Sequence, residues 1–247
     1  MLKDFISGFT SYVKAVEHVS RFRMWGYVLL PGFISILIGI AIFATAYGLS
    51  DDIGQIIIGF WKRDFAKGIV SSIANIFGGL LLAALGLLVF KQLVMVVTAP
   101  FLSILSEKVE RQLTGYEDTV GWSLPKILKD ISRGLAIAVR NLIRELTLTI
   151  LLLIIGLIPV FTPFTSALIF ILQSFYAGFG NLDFALERHF GYRDSIRFVK
   201  AHKGLAIGNG MVFLLLLFTF VGFLVAMPLG TVAATIETVK RLDEIEK

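Results

Sequence analysis

The sequence predicts an all-α integral membrane protein with two long transmembrane helices, two Pro/Gly-interrupted re-entrant helical hairpins and amphipathic surface helices. Three observations predict that class. Four stretches, Met24 to Ser50, Gly68 to Phe90, Leu146 to Leu182 and Gly204 to Ile236, carry no charged residue, and about 20 mostly apolar residues suffice for a helix to cross a bilayer. The hydrophobic share is 56% with a mean hydropathy of +0.83, above the roughly half apolar content of soluble domains. Finally, Pro159, Pro163, Gly222 and Pro228 fall inside the last two stretches, so those stretches are interrupted within the apolar region.

The N-terminal segment places Leu2, Phe5, Ile6, Phe9, Tyr12, Val13 and Val16 at helical spacing, with Lys3, Asp4, Ser7, Lys14 and Glu17 opposite. A secretory signal would have a continuous apolar core and a small-residue cleavage site, so this segment reads as an uncleaved amphipathic helix lying in the headgroup interface. The first crossing follows from about Gly26 to Leu49, with Tyr27 and Tyr47 near its ends and Pro31 in its first turns. The linking segment Asp51 to Lys67 balances its charges. In the second crossing, about Ile69 to Phe90, the small residues Gly78, Gly79, Ala83 and Gly86 allow close helix approach. Helix is expected to continue beyond it through Glu107 and Arg111 to a stop at Thr114 and Gly115. Trp122 to Glu145 is a second basic, amphipathic surface segment.

The third apolar stretch is too long for one crossing and too short for two comfortable ones, and the fourth is similar. Each is predicted to dip into the membrane and return to the side it left, which requires the irregular tip to be buried in protein or to line a wet cavity. Paired interrupted segments also point to a transport site. With both hairpins returning, only Lys62, Arg63 and Lys67 of the 23 Lys and Arg residues lie opposite the rest, and the basic side is cytoplasmic. Both termini are then cytoplasmic. Two full crossings per hairpin would give the same sidedness.

No long linker divides the 247 residues, so 1–247 is read as a single membrane domain. Zero cysteines exclude disulfides, thiolate metal sites and cysteine catalysis. A net charge of +5 is explained by the cytoplasmic excess of Lys and Arg rather than by nucleic acid. No HExxH, GxSxG or P-loop is present, and His18, His189 and His202 lack metal-ligand spacing. We therefore expect no enzyme activity, no catalytic residues, no metal and no cofactor.

Asn75, Gln92, Gln173, Asn181 and Asn209 are the polar residues within or near the apolar stretches. Interhelical hydrogen bonding is their plain role, and lining a path is the functional one. Half-helix N-termini can hold sulfate or phosphate without a buried charge, and arginines at the entrance can collect it. Arg21 and Arg23, just before the first crossing, are the candidates, with headgroup anchoring as their plain alternative.

Ala99 to Gly115 reads APFLSILSEKVERQLTG. This resembles the CysZ family of integral membrane proteins, grouped with the etoposide-induced proteins, in which an Ala-Pro-Phe step opens a helix bearing Leu-x-Glu-x-x-Glu and ending in Thr-Gly. The matching residues are Ala99, Pro100, Phe101, Leu105, Glu107, Glu110, Thr114 and Gly115. YVLLPGF from Tyr27 to Phe33 resembles the start of the family's first crossing, and Asn181 to Lys203 takes the place of its basic inter-hairpin segment. The resemblance implies a multi-pass protein of the bacterial inner membrane, assembly into a homo-oligomer with a hexamer as one candidate number, and uptake of sulfate or a similar oxyanion. The family's arginine pair associated with sulfate is replaced here by Trp25 and Gly26, leaving Arg21 and Arg23 one turn earlier to substitute. The motif glutamates, together with Pro100 and Phe101, are read as architectural. The competing function is a non-transporting membrane scaffold or assembly factor, which the amphipathic Met1 to Ser20 helix and the basic Trp122 to Arg144 segment would also suit.

Overall fold

The computed structural model describes residues 1–48, 97–115, 124–219 and 222–245. The segment Asp51 to Lys67, the second crossing with Asn75, and Gln92 lie outside the described residues. Among the described residues every regular element is a helix. In chain order they are α1 (Leu2–Arg21), α2 (Trp25–Gly48), α3 (97–114), α4 (Leu124–Gly156), α5 (Thr162–Leu186), α6 (Tyr192–Ala201), α7 (Lys203–Leu217) and α8 (Gly222–Ile245).

Helix α1 is amphipathic, as its spacing predicts, but it buries a different face from its large apolar one. Gly8, Ser11, Tyr12, Ala15 and Val19 face inward, whereas Leu2, Ile6, Phe9, Val13 and Val16 face outward. Small side chains explain the choice. A Cβ added at Gly8 would lie 2.5 Å from the Leu205 carbonyl oxygen, and one at Gly208 would lie 2.2 Å from that of Phe5, so α1 rests almost backbone to backbone on α7. The larger side chains are left for a surrounding apolar phase. A bend of 115° then separates α1 from the first part of α2, so the two do not form one straight span.

Helix α7 is gripped on its other side by α5. A Cβ at Gly178 would stand 1.8 Å from the Ala206 carbonyl oxygen, and one at Gly210 would stand 1.8 Å from that of Ser174. Such approaches replace side-chain interdigitation by van der Waals and Cα–H···O contacts. Proline produces a related contact between α2 and α8. Pro228 lies inside α8 and has no N–H to give the carbonyl four residues back, which is that of Leu224. A Cβ on Gly32 of α2 would lie 2.0 Å from that oxygen, so only glycine lets α2 close over it.

Helix α8 touches α1, α2, α5 and α7. The core accordingly has two parts. One joins Tyr12, Val19, Met24, Leu105, Phe213 and Leu229; the other joins Ile137, Phe179, Leu182, Phe198 and Leu205.

The basic surface segment and the start of the third apolar stretch, expected as separate elements, form the single helix α4 of 33 residues. The chain reverses between Gly156 and Thr162, with Pro159 in the turn and Pro163 in the first turn of α5, where a missing N–H leaves no helical bond unmade. The second reversal lies between α7 and Gly222, before Pro228 rather than at it. Among the described residues one helix, Thr162–Leu186, is by itself long and apolar enough to cross a membrane. The outward side chains at both turns are strongly apolar, with Val160 73%, Phe164 68% and Phe218 77% exposed, as a helical membrane protein requires.

Candidate functional site

Arg21 and Arg23 sit at the elbow between α1 and α2. Arg21 closes α1, and Arg23 takes the left-handed backbone conformation, φ +52°, uncommon for a residue with a Cβ. The turn is held by Phe22 N–H to His18 O at 3.0 Å and Met24 N–H to Val19 O at 2.9 Å, while the Met24 side chain plugs the core. Both arginines consequently project at the surface. The Arg21 guanidinium lies 5.7 Å from the Phe22 ring centroid. Across the elbow, α3 brings Lys108, whose ammonium lies 4.1 Å from the Tyr27 ring centroid. Gln112 of α3 meets His18 at 2.8 Å. Burial, reinforced by Arg21, holds the His18 pKa below the usual imidazole range against the opposing bond to Gln112. Among the described residues no carboxylate makes an ion pair with Arg21, Arg23 or Lys108.

The motif helix α3 turns a different face to the core. Leu102, Leu105 and Val109 are buried in the core of α1, α2 and α8. Glu107 pairs with Arg111 at the surface. Glu110 instead reaches the end of α5, where Arg188 Nε donates to it at 2.8 Å and His189 Nε2 lies 2.6 Å from its second oxygen. Arg188 also donates to Ser106 Oγ at 2.9 Å, and Ser106 meets Thr235 of α8 at 2.7 Å. Burial acts to raise the Glu110 pKa, but the bond to His189 and the Arg188 charge outweigh it and hold the group below the usual carboxylate range. The neighbouring Glu187 accepts from Ser103, but there burial, aided by the Asp183 charge, outweighs that bond and the Arg188 and Arg133 charges and pushes it up to about 7. Ala99, Pro100 and Phe101 lie near the start of the described part of α3, already helical, and Gly115 ends it with φ +68° and its N–H bonded to Arg111 O.

The apolar-stretch amides divide. Asn181 of α5 donates to Asn209 Oδ1 of α7 at 2.8 Å, and Asn209 donates to Gly230 O of α8 at 3.0 Å. Tyr12 of α1 donates to the Asn209 carbonyl at 3.0 Å. This buried knot joins four helices. Gln173 stands apart, half-buried on α5.

Spacing alone missed two further clusters. Arg133 of α4 clamps Asp183 of α5 through two bonds, 2.9 and 3.3 Å, and donates to Phe190 O at 3.0 Å. Glu237 of α8, with a fully buried side chain, binds Lys14 at 2.7 Å and Arg241 at 2.8 Å, and Arg241 continues to Asp4 at 3.0 Å. His202 meets Asp4 from the α6–α7 junction at 3.7 Å. Except for Glu237 and Arg241, which are one helical turn apart, these partners are far apart in sequence, and the remaining signal was an isolated charge at the edge of an apolar stretch.

The family model described as "Sulfate transporter CysZ/Etoposide-induced protein 2.4" matches residues 11–228. A protein named sulfate transporter CysZ from Pseudomonas fluorescens strain Pf-5 is 30% identical over 149 residues, 60% of this chain and 59% of that relative. Another of that name, from Pseudomonas paraeruginosa strain PA7, is 26% identical over 157 residues, 63% of each chain. The chain thus spans about three fifths of the length of the curated relatives it matches. Those relatives are named as transporters, not as enzymes.

Proposed function

The chain belongs to the sulfate transporter CysZ/etoposide-induced protein 2.4 family, and from that membership we propose that it is a permease or channel for a small oxyanion, sulfate first, in the bacterial inner membrane. The observation that carries the reading is the family match across residues 11–228. The elbow supports it: Arg21, Arg23 and Lys108 put positive charge at its surface, and among the described residues no carboxylate makes an ion pair with them. A doubly charged anion approaching that surface meets donors suited to its oxygens. Arg21 and Arg23 are its capture residues.

The whole of 1–247 acts as one membrane domain, with two long crossings and two half-crossing hairpins, its termini cytoplasmic, and assembles with further copies of itself. Asn181 and Asn209 belong to the packing of this domain rather than to the path, because their hydrogen bonds face each other and Gly230.

Radiolabelled sulfate uptake into proteoliposomes tests the function, with empty liposomes and an Arg21→Gln/Arg23→Gln protein alongside. We expect saturable, protein-dependent uptake in the parent. The double variant should lose about tenfold in apparent affinity, equivalent to about 1.4 kcal/mol, while its unfolding temperature stays unchanged. Full uptake in the variant rejects the capture residues. Absence of uptake in folded, inserted parent protein rejects the sulfate permease and leaves the membrane scaffold.

A further inference from the structure

Helix α1 turns outward a narrow apolar seam. Its exposed apolar side chains are Leu2, Ile6, Phe9, Val13 and Val16, separated by four, three, four and three residues. That is a strict heptad seam, the pattern by which one helix seats against another, and it is narrower than the stripe of a helix that sinks a whole face into an apolar medium. One flank of the seam is closed by the protomer itself, because Tyr12 and Val19 sit in the core and Phe5 leans on Phe9 with ring centroids 6.4 Å apart. The other flank carries Lys3, Thr10 and Glu17 at seven-residue intervals, all exposed.

The charges on that flank fit a second copy better than a lipid surface. A helix held by anionic headgroups lines its polar face with cations. On α1 the Lys14 ammonium is taken by Glu237 at 2.7 Å, and the open flank has one cation at one end and one anion at the other. Among the described residues neither Lys3 nor Glu17 makes an ion pair. Laid head to tail against another α1, the flank is its own complement, as a two-fold contact requires. The elbow gives the same axis independently. With α2 standing across the bilayer, the 115° bend lays α1 near the membrane plane. Copies inserted in the same sense are related by axes along the membrane normal, and a two-fold axis in that direction sets two in-plane helices antiparallel.

We propose that the outward seam of α1 is covered by α1 of a second copy of this chain, the two helices antiparallel about a two-fold axis along the membrane normal. Ile6 then packs against Val16 of the second copy and Phe9 against Val13 of the second copy. Thr10 lies beside its own counterpart at the axis, and Lys3 faces Glu17 of the second copy. This contact rests on the reading that copies of the chain assemble in a membrane, and it stands with or without sulfate transport.

The chain has no cysteine, so one added thiol can bridge only to another copy. The full chain is reconstituted in liposomes as Ile6→Cys alone, as Val16→Cys alone, and as the two co-expressed with a size tag on one, and is then mildly oxidised. A disulfide needs Cα atoms within about 7 Å. In the antiparallel register Ile6 is level with Val16 of the second copy but about 15 Å along the axis from its own counterpart. We expect the co-expressed pair to bridge, and each single variant to bridge about fivefold less or weaker. Adding Lys3→Glu to both chains should cut the bridged fraction about threefold by setting like charges opposite each other, and adding Glu17→Lys as well should restore it. Efficient self-bridging of either single variant shows a parallel or unordered contact and overturns the arrangement. Absence of bridging in every sample, with parent-like unfolding temperatures, overturns it too. Native mass spectrometry then separates the two causes: several copies mean that assembly uses another surface, and a single copy rejects self-assembly and leaves the seam to lipid. Bridging of the pair in protein that takes up no sulfate keeps the contact and rejects only the permease.

Discussion

At the scale of single residues, two glutamates near the C-terminal end of α5, Glu110 and Glu187, have opposite electrostatic fates. Glu110 receives Arg188 and His189, so its carboxylate is favoured; its contribution to stability is lost only when pH falls through its depressed pKa. Glu187, one position before Arg188, is pushed up to about 7 by burial first and by Asp183 next. The sign is reversed. Between the ordinary carboxylate range and about 7, the folded protein holds a proton that the unfolded chain has released, so stability falls as pH rises through that window. Glu187→Gln keeps an acceptor for Ser103 and removes the charge. We expect it to raise stability at about pH 8 by about 2 kcal/mol, with little change at about pH 4.5. Thermal unfolding of the detergent-solubilised protein at both pH values checks this, and equal shifts at the two would refute it. Glu110 was read from the sequence as architectural, and interhelical bonding was the plain reading of Asn181 and Asn209; the structure gives Glu110 the partners Arg188 and His189 and joins Asn181 to Asn209. Those partners were not legible in the sequence, because Arg188 lies 78 residues from Glu110 and helical periodicity carries no information at that separation.

At the scale of elements, glycine placement decides which helices touch. Gly178 and Gly210 face each other's helices across the α5–α7 contact, Gly204 and Gly208 face α1, and Gly32 accepts the Leu224 carbonyl that Pro228 leaves without a helical donor. Gly210→Ala would put a methyl carbon 1.8 Å from the Ser174 carbonyl oxygen. Backbone cannot swing aside as a side chain can, so α5 and α7 must separate, a loss of about 2 kcal/mol or more. Gly134→Ala is the control: it lies inside α4 with nothing within 4 Å of the added carbon, and a gain of about 0.5 to 1 kcal/mol in helix propensity is expected. Unfolding temperatures of the two variants should therefore move in opposite directions; a parent-like Gly210→Ala protein would show that the helices are not in backbone contact. Close approach was read from the sequence only for Gly78, Gly79, Ala83 and Gly86, which lie outside the described residues; the glycines that touch here were not singled out, because which faces they occupy depends on tertiary pairing. The union of the basic surface segment with the apolar stretch in α4 was missed for a simpler reason. The charge boundary at Glu145 suggested an element boundary, yet no Gly or Pro interrupts the chain between Leu135 and Ile155, so the helix had no cause to stop.

At the scale of the molecule, helix length bears on how deep the two hairpins reach. The uncharged part of α4, Leu146 to Gly156, spans about 16 Å at 1.5 Å per residue, against about 30 Å of hydrocarbon. Helix α7, with 15 residues, spans about 22 Å. Among the described residues α5 alone is by itself both long and apolar enough to cross a membrane. The turns they approach carry Val160, Phe161 and Phe218 outward, side chains that favour an apolar surrounding over a far headgroup layer. The sequence made the two interrupted apolar stretches legible, but not the depth of their turns, since either a half or a full crossing returns the basic segments to the same side. Because the chain contains no cysteine, single thiols can report that depth. With Val160→Cys, Phe218→Cys and the exposed Lys200→Cys in separate proteins, we expect a membrane-permeant maleimide to label Lys200→Cys and to leave both turn positions unlabelled until the protein is denatured, because only a hydrated thiol forms the reactive thiolate. An impermeant maleimide should label only Lys200→Cys, and only in inside-out vesicles. Labelling of both turn positions by the impermeant reagent from the outer face would convert the hairpins into full crossings, whereas labelling of Lys200→Cys from that face would invert the whole topology. Protection of the turns from both faces would place the reversals within the hydrocarbon, where their backbone groups must be met by protein or by water in a cavity, and would thereby direct the search for the anion path to the surfaces that cover them.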